Sequence, residues 1–79
     1  MAQLAFIMMN VKVGTDKEVV SQLRKLKGVN EIYEVYAVND IVAIVEAATM
    51  RELNELVNSE IRKVENVTST NTIIGERFP

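Results

Sequence analysis

The chain has 79 residues, a formal net charge of −2, and neither cysteine nor histidine. This length allows one domain at most, and the absent residue types exclude disulfides and zinc sites of the usual kind. An acidic chain is poorly suited to hold nucleic acid directly, because that requires a basic surface. No apolar run approaches the roughly 20 residues of a membrane span, and no segment resembles a signal peptide. We therefore predict a soluble, cytoplasmic protein without a membrane or direct nucleic-acid partner.

Two segments are predicted to be strands with apolar side chains on both faces. The first is QLAFIMMNVKV, residues 3–13, and the second is DIVAIVEA, residues 40–47. In both segments, the odd positions and the even positions each include several apolar residues. Strands of this kind are covered on both sides in folded proteins.

Two segments have apolar residues at helical spacing, residues 14–28 and residues 49–66. Each contains a threonine followed three residues later by a glutamate, the spacing of a capping box. These pairs are Thr15 with Glu18 and Thr49 with Glu52. The segments end at Gly28 and Asn66, residue types that tolerate the positive φ common just after a helix.

The two halves of the chain repeat one another. GVNEIYEVYA follows the first helix as NVTSTNTIIG follows the second. The order is therefore strand, helix, strand, twice, with right-handed crossovers. This order predicts an α+β, ferredoxin-like sandwich, in which both helices cover one face of a four-stranded antiparallel sheet. Residues 1–79 form a single domain in this interpretation.

Two helices cover only one face of such a sheet, whereas its central strands, the first and the third, are apolar on both. An exposed apolar patch of that size is unusual for a soluble monomer, and a core of this size gives little stability on its own. We predict that a second copy covers the other side, face to face, as in a dimeric α+β barrel.

The side chains that usually carry catalysis are scarce in this sequence. A histidine base and a cysteine nucleophile are absent, and no serine has an evident base partner. The two phenylalanines and two tyrosines do not form the glycine-aromatic motif with basic neighbours that RNA-binding sheets use. We predict that the protein is not an enzyme and uses no cofactor or metal.

Two polar features allow both an ordinary and a functional interpretation. Asn39 and Asp40 lie between two predicted strands, where both residue types form turns for local reasons, but Asp40 could also hold the ammonium group of a ligand. Thr68, Thr70 and Thr72 share one parity in the last strand. Threonine is a good strand residue, but its hydroxyl could also line a polar pocket.

The segments KLKGVNEIYEVYAVNDIVAIVEA and ELNELVNSEIRKVENVTSTNTII resemble the effector-binding domain of the Lrp/AsnC family of feast/famine regulators. The markers are GV at the start of the second strand, YEV, the aspartate that opens the third strand, EIRK at the end of the second helix, and Thr-x-Thr in the last strand. The resemblance implies a ferredoxin-like domain that dimerises through its sheet, with dimers that assemble into rings, often octamers. It also implies a small effector, commonly an amino acid, bound between dimers.

The resemblance also implies where that effector binds. Asp40 matches the acidic residue of the family, and Thr70 and Thr72 match its Thr-x-Thr pair. The ligand-facing turn contains Tyr36, Ala37, Val38 and Asn39, and its exposed amides would receive a carboxylate. Ala37 and Asn39 stand where the family often has glycine and an aromatic residue, which predicts a different turn.

Family members normally carry an N-terminal helix-turn-helix domain, and no helical pair precedes the first strand here. We therefore expect a stand-alone effector domain, and our leading hypothesis is an oligomeric module that senses an amino acid. One alternative is a ligand-free module that co-assembles with full-length regulators. Another is a small cofactor-free enzyme acting in the cavity of a dimer.

Overall fold

A computed structural model describes residues 2–36 and 40–78. The elements follow the predicted order of strand, helix, strand, twice. They are β1 (Gln3–Val11), α1 (Asp16–Arg24), β2 (Val29–Glu34), β3 (Ile41–Ala47), α2 (Met50–Glu55) with a π-helical continuation (Leu56–Ile61), and β4 (Val67–Gly75). Within residues 2–36 and 40–78, no helix has the length and apolar character needed to cross a membrane.

The strands form one antiparallel sheet in the order β2-β3-β1-β4, so β1 and β3 are central, as predicted. On one side of the sheet, alternate residues of the central strands are fully buried. These are Ala5, Ile7 and Met9 of β1 and Ile41, Ala43 and Val45 of β3. The helices complete this core with Val19, Leu23, Leu53 and Ile61. The fold class predicted from the sequence is thus confirmed.

The opposite side of the sheet, here called the open face, carries the intervening residues of the same strands. It consists of Leu4, Phe6 and Met8 of β1, Val42 and Ile44 of β3, Tyr33 of β2 and Ile73 of β4. Leu4 is buried, the other residues of the central strands are partly exposed, and Tyr33 and Ile73 are 50% and 48% exposed. An apolar second face therefore exists, and this chain covers it incompletely.

The two helix starts differ, although both have capping-box spacing. The Thr49 side chain accepts a hydrogen bond from Glu52 N at 3.1 Å, as an N-cap should. Thr15 makes no side-chain cap, and its hydroxyl donates instead to Lys12 O at 2.6 Å. The prediction of a cap was wrong at Thr15, because its backbone (φ −107°, ψ 8°) is not extended as that of Thr49 is.

The second helix does not continue as a regular α-helix through residue 64, as its pattern predicted. It changes to a π-helical stretch at Leu56, and Arg62 N donates to Val57 O at 3.0 Å across five residues. The wider turn allows Leu56, Val57 and Ile61 to be buried together against the sheet. The sequence spacing alone did not distinguish this arrangement from an ordinary helix.

Two positions after the helices have positive φ, as predicted. Asn66 has φ 76° and Gly28 has φ 99°. Gly28 also lies close to the end of β3, since its carbonyl oxygen accepts from Glu46 N at 2.9 Å. A Cβ at residue 28 would lie 2.9 Å from Glu46 O and 3.1 Å from a Leu56 methyl carbon. Both the backbone conformation and this close approach require glycine.

Gly28→Ala is therefore expected to lower the free energy of unfolding by about 1–2 kcal/mol through its positive φ, and further through the contact with Glu46. Gly14→Ala is the matched control, because Gly14 has φ 83° but no atom within 4 Å of the added Cβ. Urea unfolding measures both losses. The protein concentration is kept the same in all samples, so that any effect of association on stability does not differ between them. Equal losses in the two variants would show that the contact with Glu46 relaxes without a penalty.

Candidate functional site

Asp40 lies at the base of the β2–β3 hairpin and is half-buried. Its carboxylate oxygen Oδ2 accepts a hydrogen bond from Val11 N at 2.9 Å. Its backbone amide donates to Met9 O at 3.0 Å, and its carbonyl oxygen accepts from Val35 N at 2.9 Å. The residue that the sequence singled out as a ligand group thus also makes a structural contact at the end of β1.

The turn before Asp40 contains four further residues of the predicted site. Tyr36 is 95% exposed and extends from the hairpin into solvent. Ala37, Val38 and Asn39 lie outside the described residues, so their contribution of backbone amides stays a prediction.

Thr70 and Thr72 lie on β4, at the edge of the sheet. They pair with Met9 and Ile7 of β1, so both side chains are on the helix side of the sheet. Thr70 is half-buried and Thr72 is exposed. The two hydroxyls therefore share one surface, as the parity of the sequence predicted.

Thr68 does not belong to that surface. The pairing of β1 with β4 shifts between Asn10 and Val11, whose partners are Ser69 and Val67. Thr68 is the additional residue at this bulge, and its hydroxyl donates to Asn10 O at 3.1 Å. The bulge allows Val67 to pack against the core and interrupts the threonine row.

The two halves of the predicted site are separated within one chain. Asp40 immediately precedes β3, Thr70 and Thr72 are on β4, and β1 lies between these strands. Two strand spacings amount to about 10 Å. Among the residues that the structure describes, Asp40 and the two threonines therefore lie on opposite sides of β1.

An open cleft of about 740 Å³ lies beside Asp40, between the end of β1 and the start of α1. Its lining contains Val13 and Gly14 of the β1–α1 turn, Asp16, Lys17 and Glu18 of α1, and Glu34 of β2. The sequence interpretation missed these neighbours of Asp40. The predicted strand order was enough to predict them, because the end of β1 and the start of β3 lie at the same end of an antiparallel sheet.

Polar groups surround parts of the open face. At one end, Glu46 Oε1 accepts from Asn30 Nδ2 at 2.9 Å and from Arg77 Nη2. At the β2 edge, the Tyr33 hydroxyl donates to the Glu31 carboxylate. This hydrogen bond, together with the negative charge of Glu31, raises the pKa of Tyr33 above its ordinary value of 10.0. Within the described residues, no group of three or more acidic side chains is arranged to hold a metal ion.

Residues 4–75 match the family model of the Lrp/AsnC ligand binding domain. The chain belongs to this family. It is 35% identical over 71 residues to the HTH-type transcriptional regulator FL11 of Pyrococcus furiosus. That match covers 90% of this chain and 46% of the regulator, so the chain spans less than half the length of this relative.

Two solved structures have the same fold. The crystal structure of FFRP-DM1 has a TM-score of 0.89 and 32% identity, and the match covers 94% of this chain and 99% of that one. The crystal structure of the hypothetical protein PHS023 from Pyrococcus horikoshii has a TM-score of 0.88 and 32% identity, with 99% of this chain and 93% of that chain covered. The family resemblance and the ferredoxin-like fold predicted from the sequence are confirmed. The family is one of regulator ligand-binding domains and not of enzymes, in agreement with the prediction.

Glu31→Gln is expected to lower the pKa of Tyr33 towards its ordinary value, because a neutral amide accepts a weaker hydrogen bond from the Tyr33 hydroxyl and because the repulsion between the carboxylate and the phenolate is removed. Alkaline titration of the Tyr33 ring resonances by NMR measures this change. Glu34→Gln is the control, since Glu34 pairs with Ile41 and lies on the other side of the sheet from Tyr33. An unchanged pKa in Glu31→Gln would contradict the role of Glu31.

Proposed function

We propose that this domain senses an amino acid, bound at a site shared between subunits of a homo-oligomer, and couples its binding to assembly. The family supplies the coarser part of this statement, a ligand-binding domain related to transcriptional regulators. The proposal includes a cytoplasmic location, because the FL11 relative is a transcriptional regulator.

The proposal rests on the separation, within one subunit, of the hairpin half of the candidate site from the β4 half. Asp40 and Tyr36 belong to the hairpin, whereas Thr70 and Thr72 belong to the edge strand β4 on the far side of β1. If both halves line one pocket, the hairpin must come from one subunit and β4 from a neighbour. A site of this kind is complete only in the assembly.

The chemistry of the two halves suits an amino acid. The Asp40 carboxylate is an acceptor for an ammonium group, and Oδ2 is already held by Val11 N. Backbone amides of residues 37–39 would receive the ligand's carboxylate. The hydroxyls of Thr70 and Thr72 can both donate and accept, which suits the remaining polar atoms of the ligand.

Two surfaces favour association between copies of the chain. The open face offers partly exposed apolar side chains, among them Phe6 and Ile44, on both central strands. The strand β4 contains neither a charged residue nor proline over Val67–Gly75, whereas the other edge strand, β2, carries Glu31 and Glu34. Charged residues protect sheet edges against pairing, so β4 is the edge better suited to a contact. We propose a dimer through the open face and a larger ring, such as an octamer, through further contacts.

The mechanism follows from linkage. A ligand that contacts two subunits binds the assembled state more tightly than the separated one, and it shifts the equilibrium by that difference in affinity. Any change in transcription would be exerted through a partner that recognises the assembled form.

A second candidate function is a ligand-free module that joins mixed oligomers with full-length regulators. The observation in its favour is that the match covers 46% of a helix-turn-helix regulator, so the same domain type occurs within longer chains. A thermal-shift screen with every standard amino acid separates the two functions, because only the sensing domain is stabilised by one of them.

Ile44→Lys is expected to disrupt the contact through the open face and to lower the mass of the assembly while the fold is kept, because it places a charge in the middle of that face. Ile44 is partly exposed in the single chain, so a lysine there can extend its ammonium group into water. Sedimentation velocity at micromolar concentration measures the mass, and far-UV circular dichroism checks the fold.

Met50→Lys is the control for this experiment, since Met50 is 39% exposed and lies at the start of α2, away from the sheet. It should assemble as the wild type does. A wild-type chain that sediments as a folded particle of 8.9 kDa would contradict the proposed assembly.

The double variant Thr70→Val/Thr72→Val should bind the ligand roughly tenfold or more weakly, because each lost hydrogen bond is worth about 0.5–1.5 kcal/mol. Valine keeps the shape and the strand preference of threonine. Titration calorimetry with the amino acid that stabilises the wild type measures the change. Thr68→Val is the matched control, because Thr68 lies at the bulge, and it should bind normally. Wild-type affinity in the double variant would exclude these hydroxyls from the site.

A further inference from the structure

Asp40 is bonded to two neighbouring strands through three different groups. Its amide donates to Met9 O, its carbonyl oxygen accepts from Val35 N, and its carboxylate accepts from Val11 N. β3 begins only at Ile41, so no backbone carbonyl of β3 lies opposite Val11 N. The Asp40 carboxylate accepts the hydrogen bond from Val11 N instead. A buried or half-buried amide without an acceptor is unfavourable, and Asp40 supplies that acceptor at the end of β1.

The residue after Val11 connects β1 to both α1 and β4. Lys12 N donates to Asn66 O, one residue before β4, at 2.9 Å. Lys12 O accepts from both the amide and the hydroxyl of Thr15, at 3.1 and 2.6 Å. Thr15 O in turn accepts from Val19 N in α1 at 3.0 Å. The end of β1 is therefore connected by hydrogen bonds to the first turn of the helix and to the residue before β4.

We propose that Asp40 is a positioning residue that couples the base of the β2–β3 hairpin to the starts of α1 and β4 through its hydrogen bond to Val11 and the hydrogen bonds of Lys12. A ligand that engages the carboxylate fixes it, and thereby fixes the end of β1. The Asp40 half of the effector site is thus connected inside one subunit to β4, the strand that carries Thr70 and Thr72. The effect of a ligand on Asp40 rests on the proposed function, whereas the hydrogen bond between Asp40 and Val11 does not depend on it.

Amide hydrogen exchange of the full chain, followed by NMR without ligand and at one protein concentration, tests the bond. In Asp40→Ala the Val11 amide loses its acceptor and is expected to exchange about tenfold faster than in the wild type. The Lys12 amide should also exchange faster, whereas Ile7, in the middle of β1, should not change. Asp40→Asn is the matched control, because its side-chain oxygen can still accept from Val11 N, and it should exchange as the wild type does.

Unchanged exchange at Val11 in Asp40→Ala would overturn the proposal. Equal acceleration at Val11 and Ile7 would overturn it as well, because that result reports loss of the whole fold instead of release of the end of β1. Accelerated exchange at Val11 in Asp40→Asn would show that the carboxylate charge, and not the hydrogen bond, stabilises this region, and would also count against it.

The ligand arm uses each standard amino acid with the wild type and with Asp40→Asn. An amino acid that raises the melting temperature of the wild type should slow exchange at Val11 and Lys12 there, and should have neither effect on Asp40→Asn. A melting response without slower exchange rejects the coupling but leaves the proposed function in place. The absence of any melting response rejects the proposed ligand class, while the exchange of the ligand-free variants still decides the role of Asp40.

Discussion

The central strands of this domain are apolar on both faces, and the chain's helices complete the core on only one of them. Ile7 and Ala43, which pair across β1 and β3, are fully buried on the helix side. Phe6 and Ile44, which pair one position away, remain partly exposed on the open face. Burial of apolar area is the main favourable term in folding and association, and the strands that form the core also carry the apolar surface that a second copy would cover in the proposed dimer.

The separation of the candidate site into two halves follows from the same topology. A hairpin between β2 and β3 lies at one end of the sheet, whereas β4 lies beyond β1 at the opposite edge. A monomeric binding protein would need both halves on neighbouring elements. Under the proposed function, the two halves would line a common pocket only where two subunits meet, so that recognition of a small molecule would depend on assembly.

Much of the fold was predictable because the sequence repeats one pattern. The central strands had apolar residues on both faces, the helices had apolar residues at helical spacing, and both helices ended at residues suited to positive φ, Gly28 and Asn66. Local backbone geometry was harder to predict from the sequence. Thr15 has the same spacing to a glutamate as Thr49, yet only Thr49 caps its helix. Nothing in the spacing of Leu56 and Ile61 distinguishes a π-helical turn from an α-helical one.

For the candidate site, the sequence supplied candidate residues but not the contacts that those residues make in the structure. The family resemblance pointed to Asp40, Thr70 and Thr72 as ligand-binding residues, and this assignment stays a prediction. The hydrogen bond from Val11 to Asp40 was not foreseen, since it depends on where β3 begins. The bulge at Thr68 was missed for a similar reason, because a register shift changes the facing of residues without changing the sequence parity.

The uncharged composition of β4 has a consequence for a chain without neighbours. Val67–Gly75 is rich in threonine and isoleucine and has neither charge nor proline, the features of segments that stack into cross-β fibrils. Newly made or diluted chains would expose this strand with unsatisfied backbone groups along its outer edge. In the proposed oligomer, a contact that covers β4 would also protect the protein from aggregation.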